Sequence, residues 1–163
     1  MSSFKVSIVR LFLSSWVLLF ASCAYVYGDT NIVDLTGQLS GMNEIPSNSS
    51  MGKGTVEAMF NKETAVLTWT VTYSGLSGPA TAAHFHGPAP TESTAGVVLG
   101  FKGSVESPIK GMATLTPEQS KDLLAGKWYV NIHTKANPGG EVRAQVMPKP
   151  QQQQPQQPMR SYY

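Results

Sequence analysis

Three histidines, His84, His86 and His133, are the residues of this chain best suited to chemistry. In an extended strand, His84-Phe85-His86 puts both imidazoles on one face and Phe85 on the other. Alternate side chains stand about 6.5–7 Å apart along a strand, close enough for two leaning imidazoles to reach one metal ion. His133 follows the same parity. Trp128, Val130 and Ile132 form the apolar set of their run, so His133 faces away from the core with Tyr129 and Asn131. On the last run Val142, Ala144 and Val146 face in, and Arg143 faces out with Glu141 and Gln145. Three imidazoles can hold copper or, less favourably, zinc. A His-x-His pair and a distant third histidine are by themselves a weak signal. They are equally compatible with imidazoles that hydrogen-bond a loop in place, or with a tail that does the binding.

Other chemistry is largely excluded. The one cysteine, Cys23, lies in the leader described below, which rules out a disulfide framework, a cysteine-rich zinc site and a cysteine nucleophile in the domain. No Ser–His–Asp order, P-loop or GxGxxG occurs, and no adjacent acidic pair suits glycosidase acid/base work. Core packing accounts for most of the seven methionines better than copper handling does. Asn48-Ser49-Ser50 is an N-glycosylation sequon, meaningful in a eukaryotic secretory pathway. Formal net charge is +2, but Lys5 and Arg10 belong to the leader, and from Asp29 onward basic and acidic residues balance at ten each. Nucleic acid is therefore not an expected partner.

The elements that must position these groups read as strands. The chain of 163 residues is 41% hydrophobic and 13% charged, with 15 Gly and 11 Pro, enough for one packed domain. Ala65, Leu67, Trp69, Val71 and Tyr73 alternate with Val66, Thr68, Thr70 and Thr72, the period of a half-buried strand. Gly54–Phe60 pairs with it as a hairpin across Asn61–Thr64. Further strands are expected over Ile32–Leu39, Thr81–His86, 95–101, 109–115, Lys127–Thr134 and Glu141–Met147. One helix is predicted after Thr116, with Pro117 in its first turn, Gln119 closing a capping box and Gly126 ending it. Short strands with Gly/Pro turns point to an all-β antiparallel sandwich or barrel.

Two segments flank the domain. Residues 1–28 read as a signal peptide: Lys5 and Arg10, then the apolar run Leu11–Phe20, then Val26 and Gly28 before a cut at Asp29. The apolar stretch, Leu11 to about Val26, falls short of the roughly 18–20 residues that span a bilayer, and no later run approaches that length, so no membrane span is expected once the leader is removed. Phe20-Ala-Ser-Cys23 offers the alternative of a lipid anchor at Cys23 in a bacterial setting. Residues 148–163 close the chain as a Pro/Gln-rich tail with no hydrophobic period. The folded domain is thus expected over residues 29–147, exported to the extracellular space or, in a bacterium, the periplasm.

Several ordered motifs resemble the CHRD domain, the repeated module of chordin. They are Gly41-Met-Asn-Glu-Ile-Pro46, Gly75-Leu-Ser-Gly78, Ala82-Ala-His-Phe-His-Gly-Pro-Ala89, Leu115-Thr116 with Leu123-Leu-Ala-Gly126, Tyr129-Val-Asn-Ile-His-Thr134 and Asn137-Pro-Gly-Gly-Glu-Val-Arg143. They run from about Thr30 to Val146. The resemblance implies an exported β-sandwich of immunoglobulin-like or superoxide-dismutase-like type, with one short helix and no established catalysis. Its partner would be a protein or a matrix surface. The order His-x-His, Val-x-x-His and Gly-x-x-Arg also looks like copper/zinc superoxide dismutase. That likeness implies His84, His86 and His133 as copper ligands and Arg143 as an anion-guiding or supporting residue. The chain departs from it in having no histidine for the bridging position or for zinc, and no structural disulfide, which argues against dismutation.

Overall fold

A computed structural model describes residues 31–150. The proposed leader, Cys23 and nearly all of the tail lie outside them. The chain runs β1 (Ile32–Ser40), a 3-10 turn (Gly41–Asn43), β2 (Lys53–Asn61), β3 (Val66–Ser74), β4 (Ala80–His86), β5 (Val97–Gly100), β6 (Ile109–Thr114), α1 (Pro117–Leu124), β7 (Trp128–Thr134) and β8 (Val142–Pro148). All strand pairs are antiparallel, in one sheet of order β5-β4-β7-β8-β1-β2-β3-β6.

Alternation along the strands makes the sheet one-sided, and the apolar side has to be covered. The sheet covers it by curling. Trp69 of β3 meets Phe85 of β4 edge to face at 5.3 Å, although the two strands lie near opposite ends of the strand order. Phe101, just past β5, stacks on Trp69 at 5.3 Å and closes the core at the open seam. Leu35, Val56, Leu67, Val71, Phe85, Trp128, Val130, Ile132 and Val142 are fully buried between the two halves. The fold is the expected all-β one, with its two faces made by a single curled sheet.

Local rules set the element ends. The β2–β3 hairpin has Asn61 opposite Val66, and Asn61 Oδ1 accepts from the backbone N–H groups of Glu63 and Thr64 at 2.9 and 3.0 Å. Ala65 closes that turn at φ 56°, which is why β3 starts one residue later than the alternation predicts. The capping box of α1 forms as expected: Thr116 Oγ1 accepts from the Gln119 N–H, and Gln119 Oε1 from the Thr116 N–H. Gly126, at φ 68°, ends the helical segment. β5 is shorter than the expected 95–101. Ala95 is occupied with the histidine site, and Phe101 turns inward onto Phe85 and Trp69.

Candidate metal centre

The site is built on β4, β7 and β8, which are neighbours in the sheet. Ala82 pairs with His133, His84 with Asn131, and His86 with Tyr129; across β8, Asn131 pairs with Arg143 and Tyr129 with Gln145. All these side chains occupy the face opposite Val130, Ile132 and Phe85, as their parity predicts.

His84, His86 and His133 come together: one ring nitrogen from each lies within 4.8 Å of the others. The His84 Nδ1 and His133 Nε2 atoms are 3.2 Å apart. Two nitrogens on a tetrahedral ion at about 2.0–2.1 Å would be about 3.3 Å apart, so this pair already has ligand spacing. The ring orientations are held from behind. His86 Nδ1 donates to Ala95 O at 3.0 Å, and His133 Nδ1 donates to Pro138 O at 2.9 Å. With Nδ1 carrying the proton in each ring, Nε2 keeps the lone pair, which is the arrangement in which backbone carbonyls orient metal-binding histidines. His133 Nε2 then accepts from His84 Nδ1, and an ion would replace that hydrogen bond.

Electrostatics favour the neutral form of His84 and His86. Burial lowers the pKa of His84, helped by the neighbouring His133 and His86. Burial likewise lowers that of His86, against the pull of the Ala95 carbonyl. Neutral imidazole is the form that binds metal. Beside His133 and His84 the strand neighbours Ala82 and Gly100 are small, whereas His86 lies between Tyr129 and Val97.

The residues beside the histidines on this face are not solvent-exposed. Tyr129, Asn131, Glu141 and Arg143 are 3%, 4%, 0% and 1% exposed, because the loops over the outer face form a second, polar layer. Arg143 donates to Ser93 O at 2.8 Å and lies over the Tyr129 ring at 3.6 Å. Tyr129 in turn stacks on His86, 4.9 Å between ring centroids and nearly parallel. Its hydroxyl donates to Ala95 O and accepts from the Ala95 N–H, both at 3.1 Å. Arg143 therefore supports His86 through Tyr129, and its side-chain hydrogen bonds go to Ser93 O and Gln145 Oε1, not to an imidazole.

Sequence parity did not identify two carboxylates. Glu141 accepts from Ser50 Oγ (2.7 Å), the Ser77 N–H (2.7 Å), Ser77 Oγ (2.6 Å), Thr134 Oγ1 (2.5 Å) and Asn137 Nδ2 (3.1 Å). Burial pushes its pKa up, but the bonds from Ser77, Thr134 and Ser50 outweigh it and leave the value at about 2. Glu44, 8% exposed, goes the other way: burial raises its pKa to about 7 against the pull of Arg143, the Ile45 N–H and Asn131. Both residues lie in the motif blocks read from the sequence, but nothing in their spacing distinguishes them from solvated acids. Asn48 serves the same layer. Its Nδ2, the atom a glycan would occupy, donates to Glu141 O at 3.1 Å, and its Oδ1 accepts from the Ser50 N–H at 2.9 Å.

A curled antiparallel sheet with three convergent imidazoles over a buried polar layer defines a small all-β binding domain. The profile of the CHRD domain matches residues 35–146, from β1 into β8, and the chain belongs to the CHRD family. No curated protein and no solved structure matches the chain significantly. Among the described residues, no helix is long and apolar enough to cross a membrane.

Proposed function

We propose that this chain is an exported, non-enzymatic CHRD binding module whose outer face holds copper on His84, His86 and His133. The observation that carries the reading is the convergence of three ring nitrogens within 4.8 Å, with two of the rings held by backbone carbonyls at Nδ1. A histidine that merely ties down a loop needs one such bond. It does not need a second, unprotonated nitrogen turned toward two other imidazoles. Copper is preferred to zinc on affinity, since the Irving–Williams order favours Cu(II) for nitrogen donors. Three nitrogens with an open side suit storage, transfer or redox cycling of the ion. Arg143 acts as a supporting residue: at 1% exposure it is shielded from solvent anions, whereas its packing on Tyr129 bears on His86. The partner of the module is a protein or a matrix surface.

The test is metal retention. The chain, expressed without a histidine tag, is loaded with copper or zinc, dialysed and assayed for metal per chain. About one copper per chain is expected in the wild type, and far less in His84→Ala, His86→Ala and His133→Ala. Equal retention in the wild type and all three variants would remove the histidines as ligands.

A further inference from the structure

We propose that Asn131 Oδ1 is a fourth protein donor to the metal, making the site three nitrogens and one oxygen. The inference rests on the three-histidine reading and extends it.

Asn131 is 4% exposed and pairs across β4–β7 with His84. The orientation of its amide is set by its surroundings. Nδ2 donates to Gly139 O at 3.3 Å and sits beside Glu44, whose ionised form the amide N–H favours. With Nδ2 held on the side of the β7–β8 turn, the carbonyl end is turned to the other side, toward β4, which carries His84 directly opposite Asn131 and His86 one register step away. Yet Oδ1 accepts no hydrogen bond, and neither does His86 Nε2, which is also buried.

The Nδ1 proton of His86 is committed to Ala95 O, so Nε2 of the neutral ring is an acceptor. Two buried acceptors thus lie on the same face of adjacent strands, and neither accepts a hydrogen bond. Buried polar atoms in folded proteins are nearly always partnered, so each such atom calls for an explanation. One cation explains both, because it takes the imidazole lone pair and a carbonyl lone pair together. Three imidazoles and one oxygen are an ordinary donor set for Cu(II) or zinc.

The experiment measures Cu(II) affinity, by competition with a chelator, and the Cu(II) electron paramagnetic resonance spectrum. It compares the wild-type full chain with Asn131→Ala and Asn131→Asp. Asn131→Ala is expected to weaken binding by about 10–100-fold and shift the spectrum toward fewer protein donors. Asn131→Asp, which keeps the shape and an oxygen ligand, should bind at least as tightly as the wild type with a changed spectrum. Circular dichroism identifies a variant that has failed to fold, in which case Asn131→Asp alone decides. Wild-type affinity and an unchanged spectrum in both variants would overturn the role of Asn131 while leaving the histidine site standing. No copper bound by the wild type would overturn both.

Discussion

Glu141 and Glu44 show how hydrogen bonding decides the outcome when burial raises the pKa of two carboxylates alike. Glu141 collects five hydrogen bonds from Ser50, Ser77, Thr134 and Asn137, and its pKa falls to about 2. Glu44 has Oε1 unpartnered, and its pKa rises to about 7. By linkage, Glu141 contributes stability above its unfolded value, and that stability is lost as pH falls through its folded value. From 4.5 down to about 2 this is on the order of 3 kcal/mol. Glu44 has the reverse sign: its contribution is complete below 4.5 and disappears as pH rises through about 7. The difference between wild type and Glu141→Gln cancels the Glu44 effect. Urea unfolding should show the variant about 3 kcal/mol less stable at pH 7, with the gap closing toward pH 2. A gap of equal size at both pH values would mean that Glu141 acts by shape and not by charge.

At the scale of elements, the Asn137–Gly140 turn does most to shape the site. Pro138 O holds His133, Gly139 O holds Asn131, and the turn ends at Glu141. Gly140 has φ 136°, and a Cβ there would come 2.5 Å from Asn131 Nδ2 and 2.6 Å from Glu44 Oε1. Gly140→Ala therefore combines backbone strain with a clash, and about 1–3 kcal/mol of destabilisation is expected by thermal or urea unfolding. It should also weaken copper binding without removing any ligand. Unchanged stability and affinity would show that the turn relaxes freely.

The whole molecule depends on the curl of the sheet. Phe85 faces inward between His84 and His86 and packs on Trp69, Phe101 and Trp128. It thereby links the two halves of the sheet beneath the three histidines. Phe85→Ala should cost about 3–5 kcal/mol in urea unfolding, because the cavity lies where β3, β4, β7 and the Phe101 loop converge. A loss below about 1 kcal/mol would show that the curl is held elsewhere.

Much of this architecture could be read along the chain. The alternation in 65–73, 128–134 and 142–146 correctly assigned each side chain to a face, because strand parity is a local property of the backbone. Thr116-Pro117 and Gln119 likewise determined the helix start, since capping involves only near neighbours. The three histidines were placed on one face by the same argument. Parity could not say that β4 and β7 are adjacent, which is what brings His133 to His84. Nor could it say that the face away from the core is itself buried. Tyr129, Asn131, Glu141 and Arg143 lie under loops from distant parts of the chain, and Ser93, Ala95, Ser50 and Ser77 reach them across 34 to 91 positions. The sequence alone therefore determined which side each residue faces, through rules that span a few residues. Only the tertiary structure decided which strands are neighbours and which outward residues are taken out of water, because those contacts depend on loop closure across the whole chain.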